Sequence, residues 1–130
     1  MAVHVALAAF LYAALTVARA PVVWGVGRKP EGSNPLGSFE PRISANLANQ
    51  FEWPLFFHAA CLLLLHLELQ FSPTVLVLAW AFIIGRLLHS GVQIFIGNVR
   101  LRDMVFTVNF LAVLGLWCVL FHAAYSAATL

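Results

Sequence analysis

Charge is what this chain has least of. Only 9% of its 130 residues are Asp, Glu, Lys or Arg, five acids against seven bases, and the mean hydropathy is +0.92. A soluble domain carries about 25% charged residues, so the composition excludes one and reads as an integral membrane protein. The net charge of +2 is too small to suggest a nucleic-acid partner. Cysteine is nearly absent. Cys61 and Cys118 lie in apolar stretches without CxxC spacing, which gives neither a disulfide framework nor a metal site, and both read as packing residues. His4, His58, His66 and His122 have no spacing suited to a metal cage and read as interfacial or interhelical hydrogen-bonding groups.

What is abundant is apolar sequence in long runs. A bilayer core about 30 Å thick asks for roughly 20 apolar residues per helical crossing, so the length allows four crossings and no separate soluble domain. The expected fold is an all-α, four-helix transmembrane bundle forming one domain over residues 1–130, with spans at about 2–24, 45–67, 74–97 and 104–125. Pro54 is expected to kink the second span. Residues 25–44, rich in Gly, Pro and Ser, read as the one long loop, and QFSPT as a short turn between spans two and three. The first span has no basic residue before it, and Pro21 follows its Ala18-Arg19-Ala20 triplet at once, so it reads as a retained helix rather than a cleaved signal. Arg19, Arg28, Lys29 and Arg42 belong to the first connection, Arg100 and Arg102 to the third, and Arg86 to the near half of span three. The positive-inside rule then puts both connections in the cytoplasm and both termini on the other side. The absence of a eukaryotic retrieval signal points to a bacterial inner membrane. A basic face of this kind serves either as a topology signal touching lipid headgroups or as an anion site.

Polar residues inside the spans are few and patterned. Arg42, Asn46, Asn49 and Glu52 follow one another at intervals of four, three and three, one stripe on a continuous helix. Span three answers with Arg86, His89 and Gln93, leading to Asn98, Arg100 and Arg102. A charge deep in a bilayer costs about 2.5–3.5 kcal/mol even on the mildest scale, so Glu52 and Arg86 are expected to face each other or a wet cavity. Two readings follow. The pair is an interhelical salt bridge, or the stripes line a polar cleft suited to a small polyanionic or peptide-like ligand.

The runs NQFEWPLFF, GRLLHSGVQ and GNVRLRDMVF, in this order on spans two, three and four, resemble the MAPEG family, the membrane-associated proteins in eicosanoid and glutathione metabolism. The resemblance extends over the whole chain. It implies a homotrimer of four-helix subunits surrounded by lipid, with glutathione bound between subunits at the cytoplasmic side and a lipophilic small-molecule substrate arriving laterally from the bilayer. Carried over position by position, it implies glutathione contacts from Asn49, Glu52, Arg86 and His89, with Arg28 as the arginine of the first loop and Arg42, Gln93 and Arg100 beside them. Arg102 matches the arginine tied to thiolate activation, and no metal is implied.

The residue types suit that chemistry. A free thiol ionises near pH 8.5, and holding it as thiolate at neutral pH takes roughly 3 kcal/mol of differential stabilisation, which one close guanidinium in a partly dry site supplies. Glutathione's carboxylates pair with Arg, and its amine with a carboxylate such as Glu52. Two positions depart from the family pattern: Ala45 stands where members carry an Arg, and Gln93 where they carry a Tyr. These leave two readings open, a glutathione-dependent transferase or peroxidase and a non-catalytic structural or accessory subunit on the same scaffold. A transport path is a weaker third, because beyond Glu52 and Arg86 only His58, His66 and Glu68 continue toward the far side.

Overall fold

The computed structural model describes residues 1–69 and 72–129. The described elements are helical: α1 (Ala2–Val23), α2 (Glu40–Ala48), α3 (Pro54–His66), α4 (Pro73–Gly91) running on into a π-helical turn (Val92–Ile96), and α5 (Val99–Ala128). Three stretches are long and apolar enough to cross a membrane: α1 with 22 residues, Pro73–Ile96 with 24 and α5 with 30. At 1.5 Å per residue α5 extends about 45 Å, more than a bilayer core, so it crosses tilted or projects beyond the apolar layer. Large side chains such as Phe10, Val77, Met104 and Phe121 stand exposed around the bundle, as expected of a surface solvated by acyl chains rather than water.

The expected second span is not one helix. The chain from Glu40 to His66 breaks between Ala48 and Pro54. Pro54 has no N–H to return to the carbonyl of Gln50, so the helix cannot continue with its normal ladder. Gln50 and Phe51 close back on Leu47 and Ala48 through tighter i to i−3 bonds, and Pro54 opens α3 at its first position. The 13 residues of α3 fall short of a crossing by themselves. The long loop is also shorter than expected, because α2 starts at Glu40. It folds back on the end of α1 through Asn34 Nδ2 and Arg28 Nε, which donate to the carbonyls of Ala18 and Pro21. The QFSPT turn lies partly outside the described residues, which omit Gln70 and Phe71.

Two apolar cores hold the helices. Phe57, Leu64, Phe82, Val113 and Leu116 join α3, α4 and α5, with the Phe57 and Phe82 rings stacked at a centroid distance of 4.0 Å. Leu11, Leu15, Ile43, Leu47 and Ile94 join α1, α2 and the π-helical turn. Helices α4 and α5 approach closely at two glycines. A Cβ on Gly85 would strike the Asn109 side chain, and one on Gly115 would meet Leu78 at 3.0 Å. Small residues at such crossings are a usual way to bring membrane helices together where lipid removes the hydrophobic drive. Cys61 lies at the edge of the first core, whereas Cys118 is exposed, so only the former packs inside the chain.

Candidate functional site

Between the two cores lies a polar layer: His4, Asn46, Gln50, Arg86, His89 and Ser90 are all buried. Its centre is Arg86 on α4, 1% exposed. The break before Pro54 frees the backbone carbonyl of Asn49, and Arg86 Nη2 donates to it at 2.9 Å. Arg86 Nε and Nη2 also donate to Gln50 Oε1, at 3.2 and 2.9 Å. The irregular backbone and the buried cation thus satisfy each other, in line with the requirement that no backbone polar group be left bare in hydrocarbon.

From Gln50 the bonds spread in two directions. Its Nε2 donates to Asn46 Oδ1 at 3.1 Å and to Ser90 Oγ at 3.4 Å, and the Asn46 amide in turn donates to Gln93 Oε1 at 2.8 Å. Asn49 Nδ2 reaches the same Gln93 oxygen at 3.4 Å. Toward the other side Gln50 Oε1 lies 2.9 Å from His4 Nε2, and His4 Nδ1 lies 3.0 Å from His58 Nε2. His4 and His58 therefore are interhelical hydrogen-bonding groups, as their isolated positions suggested.

The structure gives Arg86 partners other than the expected one. Glu52 is exposed and forms no ion pair with Arg86; the ion pairs among the described residues are Arg19–Glu40, Lys29–Glu31 and Arg102–Asp103. The stripe of Arg42, Asn46, Asn49 and Glu52 required an unbroken helix, and the turn at 49–53 takes Glu52 out of line.

The remaining candidate residues fall into two groups. Asn49, Arg86 and Gln93 join the polar layer, and Arg42 sits at its edge, donating from Nη1 to the Ile94 carbonyl at 3.2 Å over Gly97, whose φ of 68° ends the π-helical turn. His89 is buried one turn beyond Arg86, its Nδ1 without a partner among the described residues and its ring 6.1 Å from Phe106. Arg28, Arg100 and Arg102 stand apart from the layer. Arg28, in the loop, is held on the end of α1 by the Pro21 carbonyl, Arg100 is exposed, and Arg102 at the start of α5 is paired with Asp103 at 3.1 Å.

Two cavities flank the layer without being lined by Arg86, Glu52 or Arg102. One, of about 640 Å³, runs between α1, α2 and the end of α4 and is almost wholly apolar, with Leu11, Phe39, Ile43 and Ile94 in its walls. The other, of about 460 Å³, lies between α1 and the start of α3 and contains His4, Gln50 and His58.

Gln50, Ser90, His4 and Asn109 took part in no expected site. Gln50 stands four residues after Asn46, and that spacing alone could have placed it on the buried face. The partners of His4 are 46 and 54 residues away, a separation no local pattern encodes.

A family model described as the MAPEG family matches residues 1–122. No curated protein and no solved structure matches the chain.

Proposed function

Because the chain belongs to the MAPEG family, whose members are generally linked to glutathione, we propose that it is a glutathione-dependent transferase or peroxidase acting on lipophilic electrophiles. It works as a homotrimer of four-span subunits, each a single domain over residues 1–130 in which α2, the turn and α3 make one broken crossing. Glutathione lies between subunits at the cytoplasmic side, close to Asn49, Glu52, Arg86, His89 and Gln93, with Arg28, Arg42 and Arg100 contributing positive charge. Arg102 turns from Asp103 to the sulfur and holds it as thiolate. The connections after α1 and before α5 face the cytoplasm of a bacterial inner membrane, and the electrophile enters from the lipid.

The observation that carries this reading is the coincidence of two irregular backbones at one level. The turn at 49–53 and the π-helical turn Val92–Ile96 are bridged by Asn46, Asn49 and Gln93. Irregular helix inside a membrane is tolerated where it is buried or lines a site, and single π-helical turns concentrate at functional sites. Glu52, exposed beside this layer and without an ion pair among the described residues, is free to meet an ammonium group or a neighbouring subunit.

A second reading rests on how Arg86 is held. Its Nε and Nη2 are consumed by Gln50 and Asn49 within one subunit, and Ala45 and Gln93 replace two family side chains. These features suit a non-catalytic scaffold or accessory subunit. Thermal unfolding of the purified protein in mild detergent separates the two. Glutathione at a hundredfold excess over its Kd adds about 2.7 kcal/mol of stability, so the midpoint rises with concentration if glutathione is bound. An unchanged midpoint at millimolar glutathione leaves the scaffold reading standing.

A further inference from the structure

The hydrogen bonds around Gln50 fix the direction of a proton chain. Arg86 has only donors, so the Gln50 atom 2.9 Å from its Nη2 is the amide oxygen and the side chain cannot be turned over. That oxygen is also 2.9 Å from His4 Nε2, which must then carry a proton. A second cation beside the buried guanidinium is unfavourable in apolar surroundings, so His4 is neutral and its Nδ1 is an acceptor. The atom facing it at 3.0 Å is His58 Nε2, which therefore donates. His58, half-buried among largely apolar side chains, is neutral for the same reason, and protonated at Nε2 it is left with a bare acceptor at Nδ1. No donor among the described residues meets that atom.

His58 borders the 460 Å³ pocket between α1 and α3. Tyr12 and Phe51 form its aromatic walls, edge to face with centroids 6.1 Å apart, and Ala8 and Ala9 leave its floor open. Tyr12, Phe51 and Leu55 are exposed, so the pocket opens on the outer surface of the single chain.

We propose that this pocket binds a membrane-dissolved phenol or hydroquinone, whose O–H donates to His58 Nδ1 while its ring packs against Tyr12 and Phe51. A pure hydrocarbon would leave the acceptor unpaired in a dry place, which is costly. No Lys or Arg side chain lines the pocket, and Arg86 lies behind Gln50 and is held there by it, so an anion would meet no guanidinium there. A hydroxylated ring satisfies both the acceptor and the aromatic walls. The size falls within the usual range for small-molecule pockets, roughly 300–1,000 Å³. Nothing in this inference depends on glutathione.

The test uses the whole protein in lipid nanodiscs, without glutathione, with 4-phenylphenol and its methyl ether as probes. Nitrogen-15 spectra of labelled histidine are expected to show His58 protonated at Nε2, and 4-phenylphenol is expected to move the Nδ1 resonance while the ether does not. After correction for partitioning into lipid, the phenol should bind roughly fivefold to tenfold tighter than the ether, the factor returned by one net hydrogen bond. His58→Phe should bind both probes alike. If that variant does not fold, the wild-type resonance and the preference between the two probes decide the matter. An Nδ1 resonance that does not respond to the phenol overturns the proposal. So does one that already reports a donor before any probe is added, from a neighbouring copy, water or a lipid headgroup. Failure here leaves glutathione binding, read by thermal unfolding, unaffected.

Discussion

Gln50 carries more of this molecule's polar interior than any charged residue does. Its oxygen receives protons from Arg86 and His4, and its nitrogen gives to Asn46 and Ser90. Removing it leaves a guanidinium buried with one backbone carbonyl for a partner, and breaking a buried charged contact from one side costs about 3–5 kcal/mol. Gln50→Leu is therefore expected to destabilise by that order, and Gln50→Leu with Arg86→Met to recover part of the loss. Equilibrium unfolding of the single and double variants in detergent checks this through the interaction energy of the cycle. Glu52→Gln and Arg86→Gln should by contrast couple more weakly within one subunit, since no direct ion pair joins them. The sequence marks Asn49 and Arg86 because polar residues in an apolar run stand out by cost alone. It hides Gln50 and His4, whose importance comes from partners brought close only by the tertiary fold.

At the scale of elements, α4 and α5 depend on having no side chain at Gly85. The Asn109 amide fills that space, buried and without a hydrogen-bond partner among the described residues. Gly85→Ala overpacks the crossing and is expected to cost about 1–3 kcal/mol, although it raises helix propensity. Asn109→Ala should be close to neutral because no hydrogen bond is lost, and it should rescue Gly85→Ala. Midpoints of thermal unfolding for the two single variants and the double check all three expectations. Three long apolar helices were legible from hydropathy, with ends shifted by a few residues. The second expected span was not legible as it stands. Pro54 announces a kink, but whether a helix bends or stops depends on what takes up the carbonyls that the break leaves unpaired. Here Arg86, 37 residues further on, takes that of Asn49.

For the whole molecule, the basic residues predict its orientation. Single cysteines placed at Ser33 and Ser72, in a background lacking Cys61 and Cys118, should react with impermeant reagents from opposite sides of the membrane. Labelling of both from one side would mean that the broken α2–α3 segment turns back without crossing. Native mass spectrometry with lipid retained should give a trimer, in keeping with an exposed Glu52 beside the polar layer and a rim of exposed aromatic residues that one subunit cannot cover. Membrane residence and family were both legible in the chain. The proposed glutathione site was less so: Arg28, Arg100 and Arg102 lie apart from the polar layer in one chain, and only the proposed trimer would bring them to it.

The measurement closest to the chemistry is a titration of glutathione into the purified protein while following the ultraviolet absorbance of the thiolate. A saturating band at neutral pH is expected for the unaltered protein. Arg102→Lys should retain part of it, because the charge stays while the planar fork is lost, and Arg102→Ala should abolish it while glutathione still stabilises the fold. An unchanged band in Arg102→Ala would move the role to Arg100 or Arg28. Glutathione that neither ionises nor binds in the unaltered protein would contradict the enzymatic reading altogether.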